Sequence, residues 1–182
     1  MKKLNIITYP NPILDNISAK VSLPLNTEDQ DLIRSMWQTV QGEGIGLAAP
    51  QVGINKQICL VHLDPEIADK KDKNLDFIMI NPEITFYSDI QCKMVEGCLS
   101  FPEQFWDIKR PSNIIVKFVT IANFKAFLKG KSPVLKPQIV KAKSWMARVI
   151  QHEVDHLNGN LFVNLGGEKL EPEKAKDRQI ID

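Results

Sequence analysis

His152-Glu153-Val154-Asp155-His156 concentrates more chemistry in five residues than any other stretch of the sequence. On a helix, side chains four apart share a face, about 40° from each other around the axis. Two imidazoles so placed can hold one metal ion. A glutamate beside the first can take a proton from water that the ion acidifies. The chain has only 3 histidines. Two of them at this spacing, flanking a glutamate within an apolar stripe, argue against a chance pair on a solvated face.

A catalytic centre of this type needs a third protein ligand and one open position. No histidine follows His156, and Glu168, Glu171 and Glu173 fall in a stretch that reads as a polar tail. Upstream, Glu96-Gly97-Cys98-Leu99-Ser100 offers the Cys98 thiolate, a strong ligand, beside a glycine that lets backbone come close. Taken by itself, Cys98 also fits a buried small apolar side chain. A third segment, Gly44-Ile45-Gly46-Leu47-Ala48-Ala49-Pro50-Gln51, crowds small residues after a helix. It suggests tightly packed backbone, and the Gln51 amide could donate to an oxyanion. No Lys-Ser/Thr pair follows these glycines, so they form no phosphate loop. Asp155 and Glu96 fit outer partners that orient a histidine; Asp155 fits a charge on the helix surface equally well.

The elements that must position these residues follow from periodicity. Thr27 and Gln30 read as a capping box, and Leu32, Ile33, Met36, Trp37 and Val40 repeat at helical spacing up to the glycines at 42, 44 and 46. Residues 9–25, with Pro10, Pro12 and Pro24, read as an extended surface arm. Strands are expected at 58–63, 77–80, 84–87, 93–96, 113–121, 124–128 and 138–141. Asn81-Pro82 should close the second strand, residues 64–76 should form a loop, and Gly130 and Pro133 mark another. From Ser144, a plausible N-cap, Trp145, Val149, Ile150, Val154 and Leu157 make a helix stripe that stops near Gly159. The expected class is α+β, with short β-sheets packed around a central metal-binding helix. Residues 1–165 form one catalytic domain and 166–182 a short polar C-terminal tail.

Bulk properties narrow the function classes. The sequence has 182 residues, 43% apolar and 25% charged, with 23 basic and 22 acidic residues giving a formal charge of +1. That suits one soluble core and argues against a bulk electrostatic grip on nucleic acid. No apolar run approaches the ~20 residues a membrane span needs. The basic start Met1-Lys2-Lys3 runs into Pro10 and Pro12, which is no signal-peptide core, so the cytoplasm is the default. Three cysteines, Cys59, Cys92 and Cys98, make a disulfide scaffold implausible. Cys92 and Cys98 lack the Cys-x-x-Cys spacing of a redox module. Cys59, Cys92 and His62 read as structural.

Together the three segments closely resemble the peptide deformylases. That family carries a Gly-x-Gly-Leu-Ala-Ala-x-Gln loop, a Glu-Gly-Cys-Leu-Ser strand and a His-Glu-x-Asp-His helix, in that order, and the resemblance runs from about Ile7 to Phe162. It implies a metal-dependent hydrolase that removes the formyl group from the N-terminal formyl-methionine of new polypeptides, releasing formate. Cys98, His152 and His156 would hold one divalent metal, Fe²⁺ in the physiological state, replaceable by Zn²⁺, Ni²⁺ or Co²⁺. Glu153 would act as acid/base. Gln51 and the Leu99 backbone N–H would steady the oxyanion. Gly46 would pair with the substrate backbone. Ile45, Trp145, Arg148 and Val149 would line the pocket for the methionine side chain, with Glu96 and Gly97 also on the substrate side.

The implied partners are N-formylmethionyl nascent peptides, met by a monomer without nucleic-acid or membrane contact. Transient ribosome association stays open, because the short tail of mixed charge from Glu168 to Asp182 is unlike a basic docking helix. Three departures stand out. Phe105, next to Trp106, occupies the region where one branch carries a substrate-binding arginine. Ser144 stands where a glycine is usual, and residues 123–141 match the usual hairpin poorly. The rival readings are a metallopeptidase with a carboxylate as third ligand, and a fold that binds peptide or metal without turnover.

Overall fold

The computed structural model describes residues 2–62, 76–176 and 180–181. The loop expected at 64–76 lies outside the described residues except for Asp76.

The N-terminal arm is irregular apart from a 3-10 turn at Pro12–Asp15 and an isolated bridge from Ala19 to Lys56. Helix α1 spans Thr27–Val40. Its N-cap is Asn26, not Thr27: the Asn26 side chain accepts the Asp29 N–H at 2.8 Å, which leaves the expected capping box unused. Strands β1 (Gly46–Ala48), β2 (Ile58–His62), β3 (Asp76–Tyr87), β6 (Asn113–Ile121) and β7 (Leu135–Lys143) form an antiparallel sheet in the order β1-β2-β3-β6-β7. Strands β4 (Gln91–Glu96), β5 (Phe105–Pro111), β8 (Glu168–Leu170) and β9 (Ile180–Ile181) form a second sheet in the order β8-β5-β4-β9. Helix α3, Ser144–Leu157, packs against both sheets.

Alternation explains the layers. Cys59 and Val61 of β2 face the cluster that buries α3, whereas Ile58 and Leu60 face the cluster that buries α1. Met79 and Ile78 of β3 divide in the same way. A strand alternates faces with period 2, so the larger sheet takes one helix on each side.

Several expectations change. Asn81-Pro82 does not end the second strand. β3 runs through it with a register shift, Asn81 taking φ 52°, and the Asn81 amide bonds both the N–H and the carbonyl of Val21. A proline removes one ladder donor, and a bulge absorbs that loss. Phe124–Leu128, read as a strand, is the short helix α2. β5 was not foreseen, because Asp107, Lys109 and Arg110 interrupt its apolar pattern. Ser144 is the first residue of α3, not its N-cap; Lys143 stands at the cap, and the Ser144 N–H donates to the Ser112 carbonyl at 2.9 Å. The segment read as a polar tail is tied to the second sheet through β8, through β9 and through buried Leu170 and Ala175, the latter in helix α4 (Pro172–Lys176).

Candidate metal and active site

Cys98, His152 and His156 converge, with a ligand-capable atom from each lying within 4.8 Å of the others. All three are buried. The turn after β4 delivers Cys98; α3 delivers the imidazoles from one face, with Cys98 Sγ 3.3 Å from His156 Nε2. The carboxylates weighed as alternatives, Glu168, Glu171 and Glu173, are exposed and outside this cluster. The three cysteines are all free thiols.

The donors suit a resident ion. A thiolate and two imidazoles form a three-ligand set of borderline softness. Burial holds the His156 pKa well below the usual imidazole range, which keeps the ring neutral, the form that ligates. Burial also opposes charge on His152, but the bonds to Cys98 and Glu96 outweigh it and raise its pKa. An ion held by Cys98, His152 and His156 would compete for the lone pair that this proton would occupy. Glu153 Oε2 is buried without a hydrogen-bond partner, an acceptor aimed at nothing the protein supplies.

Glu153 sits where burial, reinforced by the charge of Glu96, pushes its pKa up to about 7 against the pull of His152 and Arg110. A carboxyl poised there can both take and give a proton at neutral pH. Gly46 lies against it: a Cβ on Gly46 would collide with Glu153 Oε1, so only glycine lets β1 pass this close.

Gln51 is buried at the same corner. Its Oε1 accepts the Ala48 N–H at 2.8 Å, and its Nε2 lies 3.4 Å from Cys98 Sγ and 3.3 Å from Ser100 Oγ. The amide is thereby oriented with its donor side towards Cys98. Gly97 is buried and Leu99 half-buried on either side of Cys98. Ile45 and Trp145 are half-buried and pack on the cluster that contains buried Val149.

Two residues expected on the substrate side are placed elsewhere. Glu96 is fully buried, with Oε2 2.9 Å from His152 Nδ1 and both oxygens bonded to Arg110. Burial works to raise its pKa, but His152 and Arg110 lower it far below the usual carboxylate range. The Arg148 guanidinium also turns to Glu96 and to backbone carbonyls rather than into a pocket. Asp155 accepts from Arg110 at 2.5 Å, so it is a partner in this network rather than a free surface charge.

Arg110 is the functional residue that sequence reasoning missed. It lies in the unforeseen β5, and the available signal was indirect: two acids beside the histidines need a cation if they are to be buried. His62, read as structural, pairs with Asp76 at 2.6 Å and meets the Trp37 ring edge. A cavity of about 870 Å³ lined by Trp37, Phe77, Phe124 and Gln138 shares no residue with the metal corner.

A buried cysteine beside two imidazoles of one helix face, with an unpartnered carboxylate oxygen next to them, is the donor set of a metal-dependent hydrolase. The particular kind is given by kinship: residues 3–170 match the profile of the family Polypeptide deformylase, and the chain belongs to that family, whose enzymes remove formyl groups from nascent peptides. The peptide deformylase of Wolbachia pipientis subsp. Culex pipiens (strain wPip) is 39% identical over 168 residues, covering 90% of this chain and 87% of that protein. The fold matches the crystal structure of a peptide deformylase from Synechococcus elongatus in complex with actinonin, with a TM-score of 0.74 and 35% identity over 96% of this chain and 84% of that one. It also matches the Met-Ala-Ser-bound class I type b peptide deformylase from Acinetobacter baumannii, with a TM-score of 0.72 and 32% identity over 90% of this chain and 98% of that one.

Proposed function

We propose that this chain deformylates the N-terminal formyl-methionine of nascent polypeptides with one divalent ion held by Cys98, His152 and His156. Fe²⁺ is the physiological ion in this reading, with Zn²⁺, Ni²⁺ or Co²⁺ able to replace it. The observation that carries it is the convergence of those three donors beside the buried carboxylate of Glu153. When bound, such an ion acidifies water and polarises the formyl carbonyl.

The protein's own residues do the rest. Glu153 takes the proton from the attacking water and passes it to the departing amine, a double duty that its raised pKa suits. The Gln51 amide and the Leu99 backbone N–H donate to the oxygen of the formyl group as charge develops there. Backbone at Gly46 pairs with the substrate peptide, and Ile45, Trp145 and Val149 receive the methionine side chain. Met-Ala-Ser, the peptide bound to the Acinetobacter enzyme, has the form of a deformylated product, which fits a methionine-led peptide as the ligand in this reading. The enzyme works in the cytoplasm as a monomer. Any ribosome contact is transient in this reading.

The test is formate release from formyl-Met-Ala-Ser by protein purified anaerobically and loaded with Fe²⁺. Turnover with stoichiometric metal is expected. Metal binding without formate from several formylated peptides would leave a fold that only binds.

A further inference from the structure

Arg148 heads the fully buried side chains by volume, at 1% exposure. On α3 it lies one turn before His152 and two before His156, on the face that carries both imidazoles. A guanidinium removed from water is costly unless its donors are matched. Nη1 donates to Glu96 Oε1 at 2.8 Å and to the Ile108 carbonyl at 3.0 Å; Nη2 donates to the Cys92 carbonyl at 2.7 Å and lies 3.4 Å from Cys92 Sγ. Nε is buried without a partner. An apolar side chain would fill this space without stranding that donor, so packing alone does not account for the charge.

Glu96 shows what the charge is for. Oε1 accepts from Arg110 Nε and Arg148 Nη1; Oε2 accepts from Arg110 Nη2 and faces His152 Nδ1. An ionised carboxylate offers about four lone-pair positions, and all are taken. It cannot swing, and its partner nitrogen on His152 must carry the proton, which leaves Nε2 free. Arg110 fills two of these four positions through Nε and Nη2 while its Nη1 turns to Asp155, and Arg148 fills the second position on Oε1 that Arg110 leaves open. Two guanidinium groups thus answer two carboxylates.

We propose that Arg148 is a positioning residue for the metal centre: it pins Glu96 Oε1 so that Oε2 fixes the His152 ring and aims Nε2 at the ion. This rests on the reading that Cys98, His152 and His156 hold that ion. It replaces the expectation that Arg148 lines the methionine pocket.

The experiment measures Zn²⁺ affinity by chelator competition for wild type, Arg148→Met and Arg148→Gln, with thermal melts to establish folding. NMR of the Zn²⁺-loaded protein follows the His152 Nδ1–H. Wild type should show a protected Nδ1–H. The variants should lose it and bind Zn²⁺ about 10–100-fold more weakly. KM for formyl-Met-Ala-Ser should stay within roughly twofold while kcat falls. Arg148→Lys, which restores the charge with fewer donors, should recover part of the affinity.

A folded Met or Gln variant with wild-type Zn²⁺ affinity overturns the proposal. So does a rise in KM alone, which would make Arg148 a pocket residue. Should neither variant fold, wild type still decides, because a rapidly exchanging His152 Nδ1–H in the Zn²⁺-loaded protein contradicts a pinned ring. A wild-type chain that binds no Zn²⁺ through Cys98, His152 and His156 sinks the underlying metal reading instead.

Discussion

Helices α3 and α2 are opposite solutions to the same problem of keeping a helix in place. α3 is almost wholly buried, and its polar residues Arg148, Gln151 and His152 are each bonded to neighbouring strands or loops. α2 is a single turn in the β6–β7 connection. It is anchored by buried Phe127, by Arg34 lying 4.1 Å over that ring, and by Asn123 bonding the Ser132 carbonyl and the Val134 N–H. The stretch from Asn113 to Lys143 carries exposed Lys117, Lys125, Lys129, Lys131, Lys136, Lys141 and Lys143 and no acidic residue. Around α3 the charges of Arg148, His152 and Asp155 are answered by the protein and only the Glu153 carboxylate is left for a ligand; around α2 charge faces water. Chemistry needs the first arrangement, since a buried group keeps its orientation and its shifted pKa.

Substitutions should separate the two regions by orders of magnitude. Cys98→Ala should abolish stoichiometric metal and bring formate release below detection; retained metal and turnover would return the third-ligand role to a carboxylate. Glu153→Gln should keep the metal and lose about 10²–10⁴-fold in kcat, the usual weight of an acid/base group. Gln51→Ala should cost about 10²–10³-fold in kcat with metal content unchanged, as loss of an oxyanion donor does. Gly46→Ala should lower kcat by about 10²-fold, because the new Cβ forces Glu153 aside and small misplacements are that expensive. At the other end, Lys131→Ala near α2 should leave kcat unaltered and shift stability by less than about 0.5 kcal/mol in a denaturant melt. A large effect there would mean that the lysine-rich excursion is coupled to the site.

The same contrast governs what could be read from sequence. α3 was legible because fourteen residues give nearly four turns of apolar stripe, and its two histidines share one face. Phe124-Lys125-Ala126-Phe127-Leu128 is too short for period to separate helix from strand, and the anchors that decide it, Arg34 and Ser132, lie elsewhere in the chain. The helix cap slipped by one residue for a similar reason, since Asn26 and Thr27 are both capable caps. Cys98 alone could not be told from a packed thiol, because only the fold brings residue 98 close to residues 152 and 156. Arg110 and the true setting of Arg148 were hidden because buried ion pairs join residues far apart in sequence, here β4, β5 and α3. No local pattern announces them.

X-ray absorption at the metal edge of Zn²⁺-loaded wild type tests the central claim most directly. One sulfur at about 2.3 Å and two imidazole nitrogens at about 2.0–2.1 Å are expected, with a lighter scatterer completing the shell. A shell of nitrogen and oxygen alone, with no sulfur, would contradict it.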